Sequence, residues 1–338
     1  MRESVLWAAK SGLQKAIRRS DLSLVKTCFE VLWGAPKGRS WLKWRLPILA
    51  EEDVWYMVPE CQIFLNKYGD IKRHTVVKKE WLKFLFTLAL VPKSKDSEPL
   101  YYLAVSKMEN PPAEVSGFRK FLAEDRKAAA TPYDMAKILS HRVFSGDIDL
   151  TDYEMEGITL MVKRSQEGGL QSDPWCCLSC IYLIMNRGIG EYEVKETIDK
   201  AYRSVKERPV SLNSFPWWVF DQHTALGKKV TQRFPFTDDQ RKYANVHLLR
   251  KMMFLFESAY IPRERFNPVE LKSGADCFES ILWVPYMINE LRGRGKPVKA
   301  FKGLWESEYR PKLQNLIEDE MRRSGMLFIH EPEQQELF

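Results

Sequence analysis

A chain of 338 residues, 45% hydrophobic and 29% charged, is long enough to bury one large or two medium cores, which excludes a disordered chain and a small scaffold that needs disulfides or metal to fold. Lys plus Arg exceeds Asp plus Glu by 52 to 45, and the net charge of +7 biases the surface toward polyanions. With 11 Trp, 13 Tyr and 18 Phe, some rings are expected to face a ligand or partner.

Helical periodicity dominates from the start. Leu6, Ala9, Leu13, Ala16 and Ile17 recur three and four residues apart, Ser20 and Asp21 offer a cap, and Leu24, Val25, Cys28, Val31 and Leu32 resume the pattern. Two consecutive amphipathic helices with a short turn are expected. "GAPKGRS" (Gly34 to Ser40) reads as a loop, and Leu42, Leu46, Leu49 and Val54 as a third helix continuing to Pro59. "EWLKFLFTLALVP" (Glu80 to Pro92) predicts a buried helix stopped by proline, with "VPKSKDSEP" as the exposed turn behind it. The proline pair of "MENPPAEVSG", Pro111 and Pro112, marks a boundary between an N-terminal helical region, 1–110, and a helical domain, 111–338.

Further along, Thr151 and Glu154 form a capping box, so Asp147, Asp149 and Asp152 are helix-start acids rather than calcium ligands. "WCCLSCIYLIM" reads as a buried helix start whose cysteines behave as small hydrophobes in a reducing compartment. A long helix is predicted from Asp239 to Glu257 with Ala244, Leu248, Met252 and Phe256 on one face, and others in "GADCFESILWVPYMINELR" and "RPKLQNLIEDEMRR". Strand signals are nearly absent. The expected fold is all-α and multi-helical, with two packed helical lobes.

Missing motifs narrow the chemistry. "GAPKGRS" has one residue too few between its glycines for a phosphate loop and Arg39 where the lysine belongs. There is no G-x-G-x-x-G, H-E-x-x-H or G-x-S-x-G, and the cysteines lack a second ligand pair at zinc spacing. The expectation is therefore a protein without cofactor or metal. No stretch of 18 apolar residues occurs, and no basic region precedes an apolar run at the N-terminus, which predicts a soluble, cytoplasmic protein without a membrane partner.

"SGLQKAIRRSD" (Ser11 to Asp21), followed by "WRLPILAEEDV" (Trp44 to Val54), resembles the helical region C-terminal to the ATPase core of the RarA/MgsA family of recombination-associated AAA+ proteins. In that family a helix of the type "ALxKxIRGSD" precedes one ending in "RRLxxIAxEDIG"; "FTLALVPKSKDSE" (Phe86 to Glu98) is compatible with a later segment. The resemblance covers roughly the first 100 residues, lacks the ATPase domain, and has Trp55 where the final glycine of the family pattern stands. It implies a helical fold and work on DNA at replication or repair intermediates, with replication or recombination proteins as possible partners.

The densest chemistry lies outside that region, in "FPWWVFDQHTALGKKV" (Phe215 to Val230). A helix starting after Pro216 would put Asp221 and Thr224 on one face, with Gly227 a turn further on and Lys228 four residues beyond Thr224. Phe215, Trp217, Trp218 and Phe220 would supply apolar walls that partly desolvate the carboxylate. In a basic, cofactor-free helical protein this fits cleavage of a base N-glycosidic bond in DNA. Asp221 would be the catalytic carboxylate and His223 would orient water or contact the base or a phosphate. Trp217 and Trp218 would stack the flipped base beside Phe215 and Thr224, and Lys228, Lys229 and Arg233 would bind flanking phosphates. A lysine attacking the sugar would add lyase activity. Two alternatives stand beside this reading: a non-catalytic DNA-binding accessory protein, and an enzyme that modifies bases in place.

Backbone contacts are expected from Lys72, Arg73, Lys78 and Lys79 and from Arg292, Arg294 and Lys296 in "RGRGKPVKAFK". His74 reads as a phosphate neighbour or surface residue, Glu270 and Asp276 have no special spacing, and Trp41, Trp44 and Trp55 are expected in the core.

Overall fold

The computed structural model describes residues 3–70, 76–94, 96–97, 100, 113–126, 150–166, 174–189, 195–206, 210, 214–241, 245–258, 261 and 303–328. The helices are α1 (Glu3–Arg19), α2 (Leu22–Trp33), α3 (Pro36–Asp53), α4 (Val58–Tyr68), α5 (Val76–Leu90), α6 (Ala113–Arg126) and α7 (Asp152–Gln166). They continue with α8 (Pro174–Arg187), α9 (Lys195–Lys206), α10 (Ala225–Gln232), α11 (Asp238–Arg241), α12 (Val246–Met253) and α13 (Arg310–Arg323). Strands β1 (Ser214–Phe215) and β2 (Leu327–Phe328) form one short parallel pair, Ser214 opposite Leu327 and Phe215 opposite Phe328. The protein is all-α and multi-helical.

Two compact units interleave along the chain rather than meeting at Pro111 and Pro112. One comprises Met1–Gly38, Asp199–Pro262 and Trp283–Phe338, the other Arg39–Ile198 and Arg263–Leu282. The proline pair itself lies outside the described residues.

In the first unit α1 and α2 pack side by side, their contact built from the periodic residues: Ala9, Leu13, Ala16, Ile17, Val25, Cys28 and Val31 are all fully buried. Asp21 caps α2 by accepting the Leu24 N–H at 2.9 Å, while Ser20 takes a positive φ of 57° to turn the chain between the helices. The single helix expected from Asp239 to Glu257 is instead α11, an interruption, and α12. Asn245 is extended (φ −140°, ψ 175°) and its side chain accepts the Leu248 N–H at 2.9 Å, so it starts a new helix where the pattern ran through. α12 then loosens into a π-helical turn over Phe254–Ser258, and a second π-helical turn, Trp305–Tyr309, leads into α13.

In the second unit α4 lies against α7. A Cβ on Gly157 would come within 2.3 Å of the Pro59 Cα, so glycine is what lets the two backbones approach. Pro59 stands in the first turn of α4, after a short 3-10 turn at Trp55–Met57, instead of ending the third helix. That third helix also begins earlier than expected, at Pro36 within "GAPKGRS". The capping box is present. The Thr151 N–H donates to Glu154 Oε2 at 2.8 Å and the Glu154 N–H to Thr151 Oγ1 at 3.3 Å. Thr151→Ala is expected to cost about 1 kcal/mol, read as a shift in the denaturant midpoint.

The described residues of the segment after α5 are buried or half-buried, not exposed: Lys93 and Ser97 are fully covered and Ser94 nearly so. Lys93 Nζ donates to the carbonyls of Leu88 (2.7 Å), Ala89 (2.9 Å) and Val91 (2.7 Å), closing the C-terminus of α5 with its own charge. Ser94 pairs with Val54 and accepts the Trp55 indole N–H at 2.6 Å, and Ser97 donates to the Glu51 carbonyl. A charged, hydroxyl-rich run reads as surface by composition, yet each of these groups finds a hydrogen-bond partner inside. Trp55 is core as expected; Trp44 is 37% exposed and Trp41 half-buried, so neither is.

Candidate functional site

No helix runs through the Phe215–Val230 stretch from Pro216. Trp217–Val219 form one 3-10 turn, Phe220 is extended (φ −96°, ψ 98°), and α10 starts only at Ala225. Thr224 is the reason: its Oγ1 accepts the Gly227 N–H at 3.1 Å and donates to the Asp221 carbonyl at 2.9 Å, which fixes it as the N-cap. A Cβ on Gly227 would stand 2.0 Å from the Asp221 carbonyl oxygen. Gly227→Ala is thus expected to cost about 1–3 kcal/mol, measured by denaturant unfolding, through overpacking against backbone that has no room to give.

The four aromatic residues are core, not the walls of a cleft. Phe215 is fully buried, Trp217 and Phe220 are 2% exposed and Trp218 3%. Trp218 carries the Arg19 guanidinium 4.1 Å from its ring centroid, and Trp217 has that of Arg310 at 5.4 Å. Glu257 joins the two arginines. Its carboxylate takes Arg19 at 3.5 Å and Arg310 Nε at 2.8 Å, with the Trp305 indole N–H at 3.2 Å, while Arg19 also donates to the Glu257 carbonyl at 2.7 Å. Burial pushes the Glu257 carboxyl up, and the two guanidiniums pull it back.

Asp221 is 2% exposed and faces Lys15 of α1, Nζ to Oδ2 3.1 Å. Lys15 also donates to the carbonyls of Val219 (2.7 Å) and Trp218 (3.1 Å), and Ser11 Oγ to that of Val219 (2.7 Å). The ammonium therefore satisfies carbonyls that the short 3-10 turn leaves open. Burial pushes the Lys15 amine down to about 8, with the Asp221 charge working in the opposite direction. Asp221 is also tied to His223, whose N–H donates to Oδ1 at 2.8 Å and whose Nδ1 lies 3.3 Å from Oδ2. The imidazole itself is largely exposed and stands edge-on to Phe254 at 5.3 Å. So Asp221 and His223 do come together, but the carboxylate is spent on a buried ion pair and an Asx-type turn.

Lys15 was hidden inside a motif that the family resemblance had already explained. A signal existed, since Ala8, Gly12 and Lys15 form a stripe of two small residues and a cation at helical spacing on a helix whose other buried residues, Arg18 apart, are apolar. The small side chains let the 217–219 turn come close, and the lysine meets it.

No protein-family model, curated protein or solved structure matches this chain.

The basic part of the predicted set behaves differently. Lys228, Lys229 and Arg233 are all exposed, on or next to α10. α10 packs on α13, where Lys229 pairs with Glu320. The Glu320 carboxyl is held below the usual range first by its hydrogen bond from Lys229; burial opposes this, and the charges of Lys229, Arg323 and Arg233 add to it. Lys229 is the cation in contact with that carboxylate; Arg233 and Arg323 act on it through charge alone. Arg250 of α12 braces α10 from behind, donating to Thr231 Oγ1 at 2.9 Å and to the Lys228 carbonyl at 3.0 Å. The sequence did not single out Arg323, since only the packing of α10 on α13 brings the exposed end of α13 to this basic helix.

Of the expected backbone contacts, Lys78 is half-buried and Lys79 exposed on α5, in the second unit. Lys72, Arg73, His74, Arg292, Arg294, Lys296, Glu270 and Asp276 lie outside the described residues. Among the described residues no cluster of three or more His, Cys, Asp or Glu is arranged to hold a metal ion, and no helix is long and apolar enough to cross a membrane.

Proposed function

We propose that this chain is a DNA-binding helical accessory protein of replication or recombination, which grips the phosphate backbone through the face formed by α10 and the end of α13. The observation that carries this is the packing of α10 on α13, two helices whose exposed cations Lys228, Lys229, Arg233, Arg322 and Arg323 outnumber the acids Glu318, Asp319 and Glu320 beside them, Lys229 being paired with Glu320 and Arg322 with Asp319. Exposed cations that outnumber nearby acids are stabilised by a polyanion, which replaces the counterions they otherwise hold. The resemblance of the first hundred residues to the RarA/MgsA helical region points in the same direction.

Base excision draws less support from the same geometry. A flipped base needs an accessible ring to stack on and a carboxylate facing it. Trp217 and Trp218 are buried and Asp221 is engaged by Lys15, so excision would first require this part of the core to open.

The purified chain, incubated with labelled duplex and single-stranded DNA between about 50 and 200 mM salt, separates the readings. Binding that weakens steeply with salt, with strands that stay intact after hot alkali, is the expected result. Alkali-dependent breaks lost in Asp221→Asn would restore the excision reading, and no binding at low salt would remove both.

A further inference from the structure

His223 stands immediately before the N-cap of α10, its side chain 64% exposed beside a carboxylate that is 3% exposed. Three contacts set the ring. Its own backbone N–H donates to Asp221 Oδ1 at 2.8 Å, Nδ1 lies 3.3 Å from Asp221 Oδ2, and the edge meets Phe254 at 5.3 Å. A carboxylate oxygen only accepts, so the neutral ring keeps its proton on Nδ1 and its lone pair on Nε2. Among the described residues Nε2 has no hydrogen-bond partner. The groups about the ring come from three sides: Asp221 from its own turn, with Lys15 of α1 3.1 Å beyond that carboxylate; Phe254 from the π-helical turn; and α10, which continues with Lys228.

Protonation changes what this ring offers. The neutral imidazole turns an acceptor to solvent, which repels a phosphate oxygen. The imidazolium turns out a donor and a charge, while Asp221 still holds the other N–H. Beyond it the eight residues of α10 span about 12 Å and carry the exposed Lys228, with Arg233 exposed at the far end. A DNA strand places one phosphate per ~3.4 Å of duplex axis, so a single strand meets the whole ridge, whereas an acidic peptide offers anions only where its sequence has them. We infer that protonated His223 is a further phosphate contact of this ridge, so that DNA binding tightens as the pH falls. The inference rests on the DNA-binding reading above and adds a proton-controlled contact to it. An imidazole changes charge between about pH 5 and 8, below the range in which the Lys15 amine, pushed down to about 8, gives up its proton. The contact is therefore present at the acid end of that window and lost as the pH rises through it.

The test uses the full chain and the anisotropy of a rhodamine-labelled duplex at about pH 5.5, 6.5 and 7.5, with His223→Gln and His223→Ala alongside and circular dichroism at each pH to check the fold. Wild type is expected to bind about three- to fivefold more tightly at the lowest pH than at the highest, with a salt slope steeper by ~0.9 for the added contact. Both variants should match wild type at the highest pH and lack the gain at the lowest. A gain of equal size in His223→Gln, or none in wild type, refutes the contact and leaves the α10–α13 reading standing. Nitrogen NMR of the histidine-labelled chain should show the neutral ring protonated on Nδ1, and a proton on Nε2 would overturn the switch. A labelled polyglutamate that shows the same His223-dependent gain while the duplex does not would make the occupant an acidic peptide and refute the phosphate assignment. If wild type binds the duplex at no pH, both readings fail together.

Discussion

Truncating Asp221 to alanine is expected to lower the unfolding free energy by about 3–5 kcal/mol, because Lys15 is left as a buried cation without its counter-ion. The reciprocal change, Lys15→Met, strands the Asp221 carboxylate and removes the donor to the Trp218 and Val219 carbonyls, with a loss of similar size. The double variant Lys15→Met/Asp221→Ala carries neither charge, so it should lose less than the sum of the two single changes. A double-mutant cycle by denaturant unfolding reads this coupling, and strict additivity would show that the pair does not act as a unit. A pH series gives an independent check. Burial pushes the Lys15 amine from the ordinary 10.5 down to about 8 in the folded chain, so between those values the unfolded chain holds a proton that the folded chain has released. Stability should rise with pH across that window, and Lys15→Met should lack the rise.

The second large effect concerns binding rather than folding. Lys229→Ala/Arg233→Ala/Arg323→Ala removes three exposed cations from α10 and the end of α13. If each makes one phosphate contact, the duplex salt slope falls by about 0.9 per contact, and affinity near physiological salt drops about a hundredfold. These residues are exposed, so each change should leave stability within about 0.5 kcal/mol. Glu320→Gln should move the other way, tightening DNA binding by removing the carboxylate from the patch. A triple variant that binds as wild type, or a Glu320→Gln that weakens binding, would shift the interface elsewhere on the chain.

Both predictions grow from the same stretch, and its two halves differ in how far they were legible. The cations of "GKKVTQR" are exposed as a helix with no acidic residue suggests, since a charge on a short amphipathic helix has few ways to be buried. The aromatic half misled. Phe, Trp, Trp and Phe beside a carboxylate read equally well as a ligand cleft or as core, because aromatic side chains serve both. Burial against α1 decided it, through Lys15 more than two hundred residues upstream. "VPKSKDSEP" teaches the same from the other side: Lys93 is polar by composition yet fully buried, because three carbonyls of its own helix end converge on it.

The sequence by itself determined the all-α class, the α1–α2 hairpin with its Asp21 cap, the buried α5 and the Thr151–Glu154 box. Each of these depends on residues three or four apart, and helical periodicity and capping are local physics. Only the tertiary structure decided the interleaving of the two units, the break at Asn245, the burial of Asp221 by Lys15, the Arg19–Glu257–Arg310 network and the packing of α10 on α13 that pairs Lys229 with Glu320. These depend on which distant segments touch, and a buried charge is settled by its partner across the fold rather than by its neighbours in the chain.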